Sequence, residues 1–279
     1  MSSTRPVIGF LTDFGLDAAA AVCRGVMIGI CPDAQVIDVS HTMRKYAIGD
    51  GARLLAFALP YLPVGTHVGV VDPGVGTSRR PIGIRTGRGD VLIGPDNGLL
   101  MPPADVLGGA VEARELMNRD LWLPVTSTTF HGRDIFSPVA AHLAAGKATV
   151  EQVGPTIALD ELIRLPQPTA TAAPGRVDTI VMYVDSYGNI RLAGSGRELD
   201  DAFGSLGDGD ALRFELPAAN GSQAVVEPTR YGTTFGVVAE GESLIYLDSE
   251  GTLSMADNQG NLAARLGITA GRTAVLTRG

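Results

Sequence analysis

The chain has 279 residues, 45% hydrophobic and 19% charged, with a net charge of −8 and a pI near 5.0. That is an ordinary globular composition with room for one large or two modest domains, and its acidic balance argues against nucleic acid as a partner. No run of 18 apolar residues exists to span a membrane. The opening "MSSTRPVIGFLTDFG" lacks the basic, apolar and small-residue regions of a secretory leader, so the expectation is a cytoplasmic protein.

In chain order, "VIGFLT" (7–12), "QVIDVS" (35–40), "HVGVVD" (67–72) and "PIGIRT" (81–86) predict strands. Helical patterns lie between and after them at 17–30, 50–62 and 137–147, the last with Ser137 as N-cap and Pro138 at the first helical position. Cys23 and Cys31 fall around the first helix and read as small buried apolar residues, not as a disulfide or metal knuckle. This alternation predicts an N-terminal layered α/β domain over residues 1–164 with a mostly parallel sheet. The stretch "LPQPTATAAPGR" (165–176) holds three prolines and reads as a linker. Residues 177–279 show short strands between Gly, Asp and Asn turns, with "NLAARLG" (261–267) as the one helical pattern. A smaller C-terminal β-barrel or sandwich is expected there.

Ligands in open α/β sheets bind beyond the carboxyl ends of strands, and Asp13 and Asp72 both stand there. Asp72 opens "DPGVGTSRR", which has neither the lysine of a Walker loop nor a dinucleotide fingerprint; a tight turn and an active-site mouth both remain open. Asp13, in "LTDFG", suits a ribose diol, because a carboxylate accepts two hydroxyl hydrogen bonds; the same carboxylate could cap the following helix. His131 lies in "TTFHGRDIF" with Phe130, Gly132, Arg133 and Asp134, outside any regular apolar pattern. Arg133 and Asp134 read equally as a local ion pair. His67 and His142 sit in strand and helix patterns and read as structural, and His41 fits either role. Asp13, Asp72, His131 and Asp134 could ligate a divalent ion, but their spacing matches no metal motif, so no metal is expected.

Six stretches together, "FLTDFG", "VVDPGVGTSRR", "IGPDNGLL", "TFHGRDIFSPVAAHLA", "VDSYGNI" and "LDSEGTLSMADNQGNLAARLG", resemble one family over residues 7–268. It is the S-adenosyl-L-methionine (SAM) hydroxide adenosyltransferases, or SAM hydrolases, relatives of the fluorinase and chlorinase. The resemblance implies an α/β domain, a β-rich domain and a homotrimer with sites between subunits. It also implies cleavage of SAM by water to adenosine and L-methionine, with no cofactor beyond the substrate. On that basis Asp72, Arg79 and His131 form a catalytic triad, and Asp13 holds the ribose diol. Phe130 joins the substrate-binding residues. Asp185 and Asn189 match contacts to the methionine ammonium and the adenine, and Ser249 matches a methionine-carboxylate contact. Asp257 matches an adenine contact through its backbone. Ser254, also counted as substrate-binding, stands where many hydrolases carry glutamate, and "GNIRLAGS" lacks the Thr-Asn pair that often follows Gly-Asn. In the halogenating relatives other residues occupy the positions of Asp72 and His131, and the fluorinase has a serine at the position of Gly132.

Two other classes fit part of this pattern. A non-catalytic SAM or adenosine sensor would use Asp13 and Asn189 but leave the triad without work. A metal-dependent nucleotide hydrolase would lose activity to EDTA.

Overall fold

The run VIGFLT is apolar up to its last residue, and in the computed structural model it forms β1 (Val7–Thr12), buried along its whole length. The structure describes residues 5–218 and 223–279; the first four residues of the stretch read for a leader lie outside them. The described residues divide into two compact units, one ending at Leu165 and one spanning Pro166–Gly279.

After β1 the first unit continues with α1 (Ala19–Ile30), β2 (Gln35–Ser40), α2 (Ile48–Ala58), β3 (Thr66–Val70), β4 (Pro81–Thr86) and β5 (Val91–Pro95). Then follow α3 (Met101–Val106), β6 (Ala110–Glu115), α4 (Ser137–Ala144) and β7 (Thr156–Ile157). The strand order is β2-β1-β3-β5-β4-β6-β7. β2, β1, β3 and β5 pair in parallel, the first three as the sequence pattern predicts. β5 is not among the predicted strands, and the predicted strand at 81–86, β4, extends the sheet antiparallel together with β6 and β7. Only a short turn joins β4 to β5, and a turn of that length permits antiparallel pairing alone. Side chains of β1 alternate between two cores. Ile8 and Phe10 pack with Cys23 and Met27 of α1 and Val139 of α4, while Leu11 packs with Ala52 and Leu55 of α2. The two cysteines are free and buried, as expected. The chain leaves β1 for β2 on one side and returns to β3 on the other. The carboxyl ends of β1 and β3 therefore form a topological switch point.

Helix boundaries differ from expectation. The pattern at 50–62 becomes α2 followed by a 3₁₀ turn, Leu59–Tyr61, because Pro60 cannot donate the next helical hydrogen bond. Ser137 is not an N-cap: a π-helical turn, Gly132–Phe136, runs directly into α4, and the Ser137 hydroxyl donates to the Gly132 carbonyl at 2.6 Å. Pro138 has no N–H for the Asp134 carbonyl, which accepts from Leu123 N–H instead (3.0 Å).

The second unit contains β8 (Thr171–Ala173), β9 (Arg176–Val184), β10 (Ile190–Ser195), α5 (Gly196–Phe203), β11 (Ala211–Leu216) and β12 (Val225–Tyr231). It ends with β13 (Ser243–Leu247), β14 (Thr252–Asp257), α6 (Leu262–Leu266) and β15 (Thr273–Arg278). Seven strands close as β10-β14-β13-β12-β11-β15-β9 and back to β10, a barrel that leaves few free edges. β8 lies within the stretch 165–176 and pairs with β9. Its core includes Val181, Leu192, Phe214, Met255 and Leu276. The expectation of one helix is corrected by α5, whose signal is a capping box: Ser195 N–H donates to Glu198 Oε2 (2.7 Å), and the Ser195 side chain accepts in return.

Candidate active site

Asp13 and Asp72 follow β1 and β3, and Asp13 N–H donates to the Val70 carbonyl across the switch point (3.3 Å). The stretch 72–79 is both a tight turn and part of the cleft. Val75 N–H returns to the Asp72 carbonyl, and the Thr77 hydroxyl returns to the Gly74 carbonyl. Gly76 has φ +78°, and a Cβ there would lie 2.5 Å from the Thr128 carbonyl oxygen, so only glycine fits. The turn brings Arg79 back onto Asp72. Arg79 Nε donates to Oδ1 at 3.1 Å, and Nη2 donates to Oδ2 and to His131 Nδ1 (3.1 Å). The Asp72 and Arg79 side chains are 5% and 6% exposed, and Phe136 places its ring 5.3 Å beneath the guanidinium carbon. Nη1 of Arg79 is buried without a hydrogen-bond partner.

This geometry sets the protonation of His131. Arginine can only donate, so Nδ1 must be the accepting nitrogen and the neutral ring carries its proton on Nε2. Burial, and then the Arg79 charge, hold the His131 pKa below the ordinary histidine value; Asp72 and Asp134 oppose that in part. Neutral His131 is thus a fixed N–H donor.

A cleft of about 250 Å³ opens here, lined by Asp13, Phe14, Asp72, Phe130 and His131 among others. Phe14 and Phe130 meet edge to face at 5.7 Å. Asp13 is 9% exposed and its Oδ2 accepts from Tyr46 N–H (2.8 Å). Tyr46 (φ +65°), Lys45 and Asp17 also line the cleft, and sequence reasoning missed them because no local pattern marks them. Arg133 and Asp134 form the local ion pair (2.6 Å), with Arg133 over the Phe130 ring at 4.9 Å. His67 is 1% exposed between Gly9 N–H and Asp90, a structural role. Among the described residues no group of three or more His, Cys, Asp or Glu is placed to hold a metal ion.

The remaining candidates lie in the barrel unit. Asp185 accepts from the N–H groups of Tyr187 and Asn189 and from Asn189 Nδ2, so the two residues form one turn. Ser254 donates to Asp248 (3.2 Å), the carboxylate that also pairs with Arg191. Ser249 is exposed in the turn between β13 and β14. Asp257, at the far end of β14, is 4% exposed; its carboxylate is gripped by Arg265 and Ser243, and its carbonyl accepts from Gly260 N–H (3.2 Å).

The fold and cleft define a class: an open α/β unit with an Asp–Arg–His constellation at its switch point, followed in the chain by a closed β-barrel. The chain belongs to the SAM hydroxide adenosyltransferase family, whose N-terminal domain matches residues 8–154 and whose C-terminal domain matches residues 179–275. It is 44% identical over 276 residues to the (R)-S-adenosyl-L-methionine hydrolase of Salinispora tropica, covering 98% of each chain. To the enzyme of that name from Thermus thermophilus it is 37% identical, over 96% of this chain and 97% of that one. It is 30% identical to the fluorinase of Actinopolyspora mzabensis over 99% of each. A solved structure from Thermotoga maritima, described as an uncharacterized conserved protein, superposes with a TM-score of 0.86 at 32% identity, covering 97% of this chain and all of that one.

Proposed function

We propose that this enzyme hydrolyses (R)-S-adenosyl-L-methionine to adenosine and L-methionine by in-line attack of water on C5′. The observation that carries the reading is the Asp72–Arg79–His131 constellation in a chain so similar to proteins named for that activity. Methionine departs from the sulfonium as a neutral thioether and needs no protonation. The enzyme's task is to hold and activate the oxygen nucleophile. His131 Nε2–H donates to that oxygen. Asp72, whose charge Arg79 offsets, keeps lone pairs to accept its proton. The O–C5′ bond forms as the C5′–S bond breaks, the electron pair goes to sulfur, and the proton passes through Asp72 to solvent. Asp13 grips the ribose diol, and Phe130 packs against the nucleoside. Asp185, Asn189, Ser249, Ser254 and the Asp257 backbone supply the remaining contacts. A homotrimer, in which one subunit's barrel closes the next subunit's cleft, would exclude bulk water from the reaction. We place the enzyme in the cytoplasm; no helix among the described residues is long and apolar enough to cross a membrane.

Incubation with each SAM epimer, followed by chromatography, tests the reading. Adenosine and methionine must appear, with the R epimer preferred, and turnover must survive EDTA. In ¹⁸O-labelled water the label must enter the 5′ oxygen of adenosine. Binding of SAM without turnover would favour the sensor instead.

A further inference from the structure

The parallel ladder between β1 and β2 slips by one residue after Phe10 and ends at the Leu11–Ser40 pair. Beyond it β2 no longer holds the chain: Thr12 keeps its pairing with Val70 of β3 and Asp13 N–H reaches the Val70 carbonyl, but Phe14 and Gly15 belong to no ladder. His41 stands at that gap. Its Nδ1 is 2.8 Å from the hydroxyl of Thr12, a residue with no exposed surface. That same hydroxyl oxygen accepts Phe14 N–H at 3.2 Å, and the His41 carbonyl accepts Gly15 N–H at 2.6 Å. Asp38 Oδ1 lies 3.1 Å from Nε2, and the Phe10 ring packs edge-on against the imidazole at 4.9 Å. A carboxylate beside Nε2 favours the proton on that nitrogen, which leaves Nδ1 to accept from Thr12.

We infer that His41 is a positioning residue for substrate binding: it fixes the Thr12–Gly15 loop and so sets where the Asp13 carboxylate and the Phe14 ring stand. It touches neither Asp13 nor the nucleophile site formed by Asp72 and His131, so its loss acts on binding and leaves the chemical step in place. The inference rests on the reading of Asp13 as the ribose-diol residue.

The test compares His41→Ala, His41→Asn, Thr12→Val and Asp13→Ala in the full-length enzyme, with SAM and its 2′-deoxyribosyl analogue. His41→Ala should raise the KM for SAM about fivefold or more, the scale of one lost hydrogen bond, with kcat changed much less. The preference in kcat/KM for SAM over the deoxy analogue should shrink. Thr12→Val, which removes the same bond and also the acceptor of Phe14 N–H, should lower the preference at least as far, and the double variant should be no worse than Thr12→Val alone. His41→Asn, whose amide can still meet Thr12, should recover most of the preference. Asp13→Ala is the reference. If it keeps the full preference, the diol reading is wrong. If it loses the preference while His41→Ala and Thr12→Val keep it, the diol reading stands and the inference about His41 is overturned. Should His41→Ala fail to fold, His41→Phe, which keeps a ring against Phe10 but cannot accept from Thr12, takes its place.

Discussion

Arg79 is the residue on which the cleft's electrostatics turn. It cancels the Asp72 charge, dictates the His131 tautomer and rests on the Phe136 ring, all with a side chain 6% exposed. Asp72→Asn should cut turnover by roughly 10²-fold or more, within the range for a lost base, while SAM still binds; stopped-turnover binding and steady-state rates separate the two effects. With the Asp72 charge offset by Arg79, the cleft offers a halide no net cation, whereas the carboxylate lone pairs can still accept a proton from water. Product analysis in concentrated chloride or fluoride should therefore find adenosine and no 5′-halogenated nucleoside. His131 sets a pH dependence. Its folded pKa is lowered, so below the ordinary value of 6.5 the unfolded chain binds a proton that the folded protein does not. Its effect on stability is absent above pH 6.5 and grows unfavourable as pH falls toward the lowered folded value. Urea unfolding between about pH 5 and 7 should show a shallower decline for His131→Gln than for the parent. An unchanged slope would count against the assignment.

At the scale of elements, the π-helical turn Gly132–Phe136 delivers both His131 and Phe136 to Arg79, and its form depends on Pro138 and Ser137 together. No local pattern announces such a turn; Ser137-Pro138 reads as a helix start because that pair usually is one. At the other end of α4, the sequence pattern carries the helix to 147, but it stops at Ala144, where Gly146 takes φ +64° and Lys147 N–H returns to the His142 carbonyl. For α5 the Ser195-x-x-Glu198 box was readable but sits within a run of strand patterns. Ser195→Ala should cost about 1 kcal/mol, seen as a lower urea midpoint with an unchanged slope. No change in midpoint would mean that barrel contacts, not the cap, hold this helix.

At the scale of the whole molecule, the chain's contacts divide after Leu165, and residues 166–169 are exposed. β8 ties the later half of the proline-containing stretch to β9. Limited digestion with subtilisin should first cut within 166–170 and release two persistent fragments; an early cut inside 67–136 would contradict the division. Light scattering should report a trimer, and dilution that yields monomers should abolish turnover. A fully active monomer would refute closure of the cleft by a neighbouring subunit.

What the sequence determined by itself is local. Alternating and continuous apolar runs specify β1, β3 and α1, an aspartate ends two of the strand runs, and the Asp72 and Arg79 spacing folds back through a glycine turn only eight residues long. Short-range sterics and burial suffice for these, so they can be read without knowing what lies opposite. Partner choice over long separations is different. The contacts His131 to Arg79 and His41 to Thr12, and the β10–β14 and β9–β15 pairings of the barrel, arise because packing brings particular donors and acceptors together. There a buried polar group must take whichever partner lies within reach, and only the tertiary structure decides which one that is.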